Sequence, residues 1–236
     1  MQWSLVGSEM CIRDSFNDAA PTYDRLNDWL SFGLHRQWKR QMVLQLSPQP
    51  GERWLDLCCG TGDLALALGR RLRPGGEVIG VDAAAAPLAV AAGRSAREPW
   101  LPVVWRQGDA LALDLPDASA EGAVMAYGLR NLSDPAAGLK ELRRVLRADG
   151  RAGLLDFNRL PPGSTAAAFQ RTYLRRVVVP VAARAGLEEH YAYLEASLAR
   201  FPNGSEQEAL ALQAGFQQAR HRPVAGGLMG LLIVKA

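Results

Sequence analysis

The sequence predicts an α/β fold built on a mostly parallel, doubly wound sheet with helices on both faces. Three observations lead there. Five short apolar stretches alternate with helical stretches between residues 54 and 157. The first of them runs straight into a loop of small residues, Cys58-Cys59-Gly60-Thr61-Gly62. Aspartates stand at or just past the ends of the next two, at Asp82 and Asp109. Strands covered on both faces read as such unbroken apolar runs, and regular alternation with helices implies parallel pairing.

The elements follow in order. Residues 1–15 have weak periodicity and lack the basic start and small-residue cleavage site of a secretory signal, so they are set aside as a disordered or foreign leader. Residues 16–46 carry apolar side chains at helical spacing (Leu26, Trp29, Leu30, Leu34, Trp38, Val43) with a joint at 31–33, which predicts two helices. Pro48, Pro50 and Gly51 make a turn. Strands are expected at 54–57, 78–81, 103–106, 123–127 and 152–157. Helices are expected at 63–72, after Asp82, and at 135–146, where Gly150 marks the end. After Phe157 the rhythm stops. Residues 158–203 read as a helical cover inserted before a last helix at 206–214. Two closing strands, 216–222 and 228–234, lie too near each other for a crossover and should pair as an antiparallel hairpin. Residues 16–236 are thus read as one domain.

Composition narrows the function. The chain has 236 residues, 48% of them hydrophobic and 22% charged, a balance that supports a large core. A net charge of +3 argues against a dedicated nucleic-acid binder. Three cysteines, Cys11, Cys58 and Cys59, form neither a disulfide framework nor a metal-ligand spacing. No metal site is expected, and a reducing, cytoplasmic compartment fits.

The glycine loop carries the chemistry. Glycines let backbone approach a ligand, and in such sheets ligands bind outside the carboxyl ends of the strands. Gly60-x-Gly62-x-x-Ala65 with Asp82 twenty residues past Gly62 also fits a dinucleotide fingerprint. Two details favour S-adenosylmethionine instead. Asp56 sits just before the loop, where it suits a cationic sulfonium-amino acid better than a pyrophosphate. Asp109 offers a second carboxylate for an adenine amino group. A nicotinamide reductase also lacks support from any Tyr-x-x-x-Lys pair, since His35, Ala136 and Leu231 stand four residues before the lysines.

These residues resemble the class I S-adenosylmethionine-dependent methyltransferases, whose Rossmann-like fold carries a seven-stranded sheet. Two flanking segments sharpen the likeness. Tyr23-Asp24-x-x-Asn27-x-x-x-Ser31-x-x-x-His35-x-x-Trp38 is similar to the amino-terminal signature of the quinone-biosynthesis C-methyltransferases, the ubiquinone and menaquinone methyltransferases. Tyr127-Gly128-Leu129-Arg130-Asn131 and Arg144-Val145-Leu146 resemble their internal motifs. Within that family the tail (Val177-Val178-Val179-Pro180, Tyr191-Ala192-Tyr193-Leu194, Phe201-Pro202, Gly226-Gly227-Leu228-Met229-Gly230) resembles the cyanobacterial and plastid branch. That branch methylates demethylphylloquinol, 2-phytyl-1,4-naphthoquinol, on the way to phylloquinone. Arg147-Ala148-Asp149-Gly150 departs from the family's Lys-Pro-Gly-Gly, and residues 83–86 are alanines where the family is more polar.

The resemblance implies roles. Asp56, Gly60, Thr61 and Gly62 surround the methionine moiety of S-adenosylmethionine. Asp82 holds the ribose hydroxyls, Asp109 and the Ala110 backbone meet the adenine, and Tyr127 forms the floor by the sulfonium. Methyl transfer to carbon needs a quinol hydroxyl that has lost its proton. A free phenol titrates near pH 10, so a cation or base should matter. Arg130 is the first candidate, as the cation facing the phenolate. His35 is a candidate base or anchor. Tyr23 and Asp24 close the site from above. His190, Tyr191 and Tyr193 read as packing in the cover. A phytylated or prenylated naphthoquinol is the expected partner, reached by peripheral contact with a membrane surface. Arg171, Arg175 and Arg176 read first as a solvated helix face. Demethylmenaquinol and a ubiquinone-precursor benzoquinol remain as rival substrates, a cofactor-binding scaffold without turnover as a rival function, and a homodimer as an open assembly.

Overall fold

The computed structural model describes residues 33–161, 163–173, 176, 180 and 197–236. The leader, the first expected helix with Leu26, Trp29 and Leu30, and the signature positions Tyr23, Asp24, Asn27 and Ser31 lie outside the described residues, as does Cys11. So do Arg175, Val177, Val178, Val179, His190, Tyr191, Ala192, Tyr193 and Leu194 of the cover.

The described strands are β1 (Arg53–Leu57), β2 (Glu77–Asp82), β3 (Val103–Gln107), β4 (Ala120–Ala126), β5 (Leu146–Phe157), β6 (Gln218–Val224) and β7 (Met229–Lys235). They form one sheet in the order β3-β2-β1-β4-β5-β7-β6. β1 to β5 are parallel, and β7 runs antiparallel to β5 and to β6. The mixed sheet and its closing hairpin agree with the fold that the sequence predicts. The chain leaves β1 outward to β2 and β3, then returns to the other side of β1 as β4. That reversal opens a crevice at the carboxyl ends of β1 and β4, where such sheets bind ligands.

Helices α1 (Leu34–Leu46), α2 (Asp63–Arg71), α3 (Ala85–Ser95), α4 (Pro135–Val145), α5 (Thr165–Tyr173) and α6 (Gly204–Gln213) connect or cover the strands. Two apolar clusters explain why. One joins α1 and α2 to the sheet through Met42, Val43, Leu46, Leu64 and Leu68 against Trp54, Val78 and Leu155. The other joins α4 and α6 to the sheet through Leu139, Leu142 and Ala211 against Leu55, Leu57, Ile79 and Leu232. With helices on both faces, β1 is buried from Trp54 to Leu57.

Helix α1 positions the site. Gly33, at the expected joint, takes φ 73 and caps it. A side chain at Gly153 of β5 would press on Met42 and Leu46, so glycine lets the helix lie close. Arg151 donates to the carbonyls of Leu46 (2.5 Å) and Ser47 (2.8 Å) and closes the far end of the helix. The near end then points toward the carboxyl ends of the strands.

Several element ends differ from expectation, and the physical reason is plain at three of them. Helix α4 stops at Val145, not near Gly150. Leu146 turns extended and pairs with Ala120, so the strand begins there. Residues 147–150 form the irregularity before Arg151 pairs with Gly122. β4 ends at Ala126, because Tyr127 takes φ 62. β6 begins at Gln218, because Phe216 is buried against the other cluster and its N–H bonds the Ala211 carbonyl (3.2 Å) after α6.

Candidate active site

The loop after β1 turns through left-handed backbone at Cys58 (φ 53), Gly60 (φ 53) and Gly62 (φ 85). The two glycines serve different ends. A Cβ on Gly62 would run into the indole of Trp105, which underlies the loop and donates to Ser95 (3.0 Å). A Cβ on Gly60 would meet nothing within 4 Å. Gly60 therefore faces open space, the place for a ligand to lie against backbone.

Carboxylates hold this loop by accepting backbone N–H groups. Asp56, 1% exposed, accepts from Ala65 (2.8 Å) in the first turn of α2. Burial pushes its carboxyl up to about 7, against the pull of that N–H and of Lys39. Asp82 accepts from Gly60 (2.8 Å) and Ala84 (2.9 Å), and burial raises it as well. Asp63, the first residue of α2, stands between Arg94 (2.6 Å) and Lys39 (3.2 Å). Burial works against its charge, yet the two cations outweigh it and hold the carboxyl down at about 2. Arg94 also donates to the carbonyl (3.0 Å) and hydroxyl (3.1 Å) of buried Thr61.

The ends of β2 and β3 join this group. Gly108 donates to the Asp82 carbonyl (3.0 Å). Asp109 is exposed and accepts from Leu111 (2.8 Å), while Ala110 beside it is buried. Cys58 opens the loop that these acids border. Burial, then the charges of Asp82, Asp56, Asp156 and Asp109, push its thiol far above the usual range. Cys59 is raised in the same way, so neither thiol is an activated nucleophile.

Across the crevice, Tyr127 donates its N–H to Leu155 (2.7 Å), and Asn131 donates to the Tyr127 carbonyl (2.9 Å). These bonds hold its left-handed turn. The ring lies 5.9 Å from that of Phe157, and Lys39 Nζ stands 5.9 Å from its centroid. Arg130, in the short turn Leu129–Asn131, pairs with Asp156 at the end of β5 (3.4 Å). Its backbone N–H also reaches Asp156 (3.0 Å), its guanidinium donates to Ser197, and it lies over the Phe157 ring at 5.8 Å. Both side chains are nearly buried, at 7% and 5% exposure. Burial raises the Asp156 carboxyl, and Arg130 pulls it back. The cation that the sequence assigns to a phenolate is thus also a structural ion pair.

His35 is buried in the first turn of α1, on the face that carries Lys39 and Met42 one and two turns later. The structure brings Asp56, Gly60, Thr61, Gly62, Asp82, Asp109 and Ala110 to one side of the crevice, Tyr127 and Arg130 to the other, and α1 over them. Tyr23 lies outside the described residues. Sequence reasoning passed over Lys39, Asp63, Arg94, Trp105 and Asp156. Two left a trace: Asp63 directly follows the glycine loop, and Lys39 directly follows the signature tryptophan. Among the described residues, no group of three or more His, Cys, Asp or Glu side chains is placed to hold a metal ion.

A model of the ubiE/COQ5 methyltransferase family matches residues 5–234. The chain belongs to this family. As a member of the ubiE/COQ5 methyltransferases it is similar to curated proteins along nearly its whole length. It is 47% identical to the 2-phytyl-1,4-naphtoquinone methyltransferase of Trichormus variabilis, over 94% of this chain and 97% of the relative. It is 48% identical to the protein of the same name in Synechococcus elongatus, over 94% and 95%. A chloroplastic protein of Arabidopsis thaliana, 2-phytyl-1,4-beta-naphthoquinone methyltransferase, is 42% identical over 92% and 84%. Two solved structures share the fold. A SAM-dependent methyltransferase from Thermotoga maritima has a TM-score of 0.66 at 20% identity, covering 94% of this chain and 98% of that one. One from Aquifex aeolicus has a TM-score of 0.62 at 16% identity, covering 84% and 88%. In this ubiE/COQ5 methyltransferase, the crevice at the carboxyl ends of β1 and β4 holds an open backbone cradle at Gly60 and carboxylates on both sides. That donor set suits a ligand carrying positive charge and hydroxyl or amino donors.

Proposed function

We propose that this methyltransferase uses S-adenosylmethionine to C-methylate 2-phytyl-1,4-naphthoquinol, the reaction class named for its cyanobacterial and plastid relatives. The observation that carries the cofactor reading is the uncrowded face of Gly60, whose N–H is held by the Asp82 carboxylate (2.8 Å), with the Asp109 carboxylate exposed just past the end of β3. Carboxylates attract a sulfonium and an ammonium and would repel a pyrophosphate. When bound, the cofactor supplies a methyl group already activated by its positive sulfur.

The chain's own residues then bind, orient and exclude water. Gly60 admits the ligand to the backbone. Asp82 and Asp109 offer carboxylate lone pairs to ribose and adenine, and Tyr127 walls the crevice opposite. Asp56, buried under the loop, shapes it through Ala65 and contributes field rather than an exposed oxygen. A guanidinium has five donors. Asp156 and Ser197 engage only some of those of Arg130, so the rest can face a phenolate while Asp156 keeps the group oriented. His35, buried in the first turn of α1, is the imidazole suited to take the quinol proton or to anchor that end of the helix.

The phytyl tail brings the protein to a lipid surface. Leu34 and Leu44 stand 45% and 48% exposed on α1, and Arg171 and Arg176 are exposed. Those side chains suit peripheral contact on the cytoplasmic side. Among the described residues, no helix is long and apolar enough to cross a membrane.

The test is methyl transfer from labelled S-adenosylmethionine to chemically reduced 2-phytyl-1,4-naphthoquinone in detergent, beside the oxidised quinone, demethylmenaquinol and a reduced benzoquinone precursor. Label in the phytyl naphthoquinol is expected. Label only in the benzoquinol would move the protein to ubiquinone synthesis. Sedimentation with anionic and neutral vesicles tests the surface contact.

A further inference from the structure

S-Adenosylmethionine carries an α-carboxylate as well as its two cationic centres. The acids that welcome the sulfonium and ammonium repel that carboxylate, so a cation must offset them. Among the described residues, the cations bonded to the loop or to the carboxyl ends of the strands are Arg94, Arg130 and Lys39. Arg94 spends its guanidinium on Thr61 and Asp63. Arg130 is turned toward Asp156 and Ser197.

Lys39 differs from both. Among the described residues it makes a single ion pair, at 3.2 Å with Asp63 in the first turn of α2. Its Nζ also stands 5.9 Å from the Tyr127 ring centroid at the end of β4. The ammonium therefore lies between the glycine loop and Tyr127, across the crevice where β1 and β4 part. An ammonium has three donors, and Asp63 takes one. Its side chain is 18% exposed, enough for a ligand to reach it.

We propose that Lys39 binds the α-carboxylate of the cofactor's methionine arm. The assignment rests on the S-adenosylmethionine reading above. It makes α1 part of the cofactor site and not only a cover. Because His35 lies one turn before Lys39 on the same face, cofactor binding would also seat the end of α1 that faces the quinol.

The test is calorimetric binding of two probes, S-adenosylhomocysteine and its decarboxylated analogue, which keeps the ammonium and lacks the carboxylate. Lys39→Met should weaken S-adenosylhomocysteine about tenfold or more, the size of a lost charge-assisted bond, and leave the analogue within about twofold. Lys39→Arg should restore most of the loss. Far-UV circular dichroism and melting of each variant show that the fold persists. An equal loss for both probes would mean that Lys39 acts only through Asp63 and the loop, and would overturn the assignment. So would unchanged binding of S-adenosylhomocysteine. A wild-type chain that binds neither probe would overturn the cofactor reading itself, which separates the two failures.

Discussion

The two walls of the crevice are built differently. On the β1–β2 side, Asp56 and Asp82 hold the loop by accepting backbone N–H groups from residues near the glycines. On the β4–β5 side, Arg130, Asp156 and Ser197 meet through side chains far apart in the chain. The first wall is local geometry with its charge left over for a ligand. The second is a charge pair in which a buried carboxylate orients a cation that keeps further donors. The contrast suggests a division of labour, with a stiff cofactor cradle facing a wall whose cation is oriented by a buried partner.

The strongest way to break the contrast is Asp156→Ala. It leaves Arg130 nearly buried without its counter-charge, and should lower the unfolding free energy by about 3–5 kcal/mol. Urea denaturation measures it. If the loss stays below about 1 kcal/mol, the pair is weaker than its burial implies and the two walls do not differ in this way.

The glycines sharpen the comparison within the cradle. Gly62→Ala meets the Trp105 ring as well as a left-handed backbone, so it should destabilise by about 2–3 kcal/mol. Gly60→Ala adds only the backbone cost of about 1 kcal/mol. Its larger effect should be on S-adenosylhomocysteine binding, with a loss beyond tenfold. Melting curves and calorimetry on the same two variants separate packing from ligand contact.

Titration distinguishes two acids of one loop. Asp63 is held at about 2, below its ordinary 3.8, so its contribution is present above pH 4 and is lost as pH falls through 2. That loss is about 2 kcal/mol from the size of the shift, and Asp63→Asn should remove this part of the acid dependence. Asp56 has the opposite sign. Its carboxyl is raised to about 7, so the folded state favours the proton, and stability falls as pH rises from 4 through 7. Asp56→Asn should flatten that slope. Denaturant midpoints at pH 2.5, 4, 6 and 8 follow both.

The smallest effect should come from Asp109→Asn. The side chain is exposed and bonds only a neighbouring N–H, so stability should change by less than about 0.5 kcal/mol. A change confined to cofactor affinity would mark it as a ligand residue, and no change in either would remove it from the adenine subsite.

Much of this was legible because it is local. The strand–loop–helix at Trp54 to Ala65 follows from apolar runs, glycines and a nearby acid, all within a dozen positions. Asp82 and Asp109 were found because strand ends are visible as the ends of apolar runs. Gly150 misled because a glycine near a helix end usually stops it. Here the pairing of Leu146 with Ala120 stopped the helix first. Arg130 was legible as a motif residue, but its partner was not, since nothing local in the sequence links positions 130, 156 and 197. Lys39 carries no motif of its own in the sequence, since His35 and not a tyrosine stands four residues before it.

The sequence by itself determined the sheet's alternation, the glycine loop, the acids at the strand ends and the family, because each rests on short-range periodicity or spacing. Only the tertiary structure decided which charges remain available to a ligand. Partnering depends on which side chains the parallel crossings bring within about 4 Å. Asp63 and Arg130 drew counter-charges from distant segments, and Lys39 came to stand between Asp63 and the Tyr127 ring.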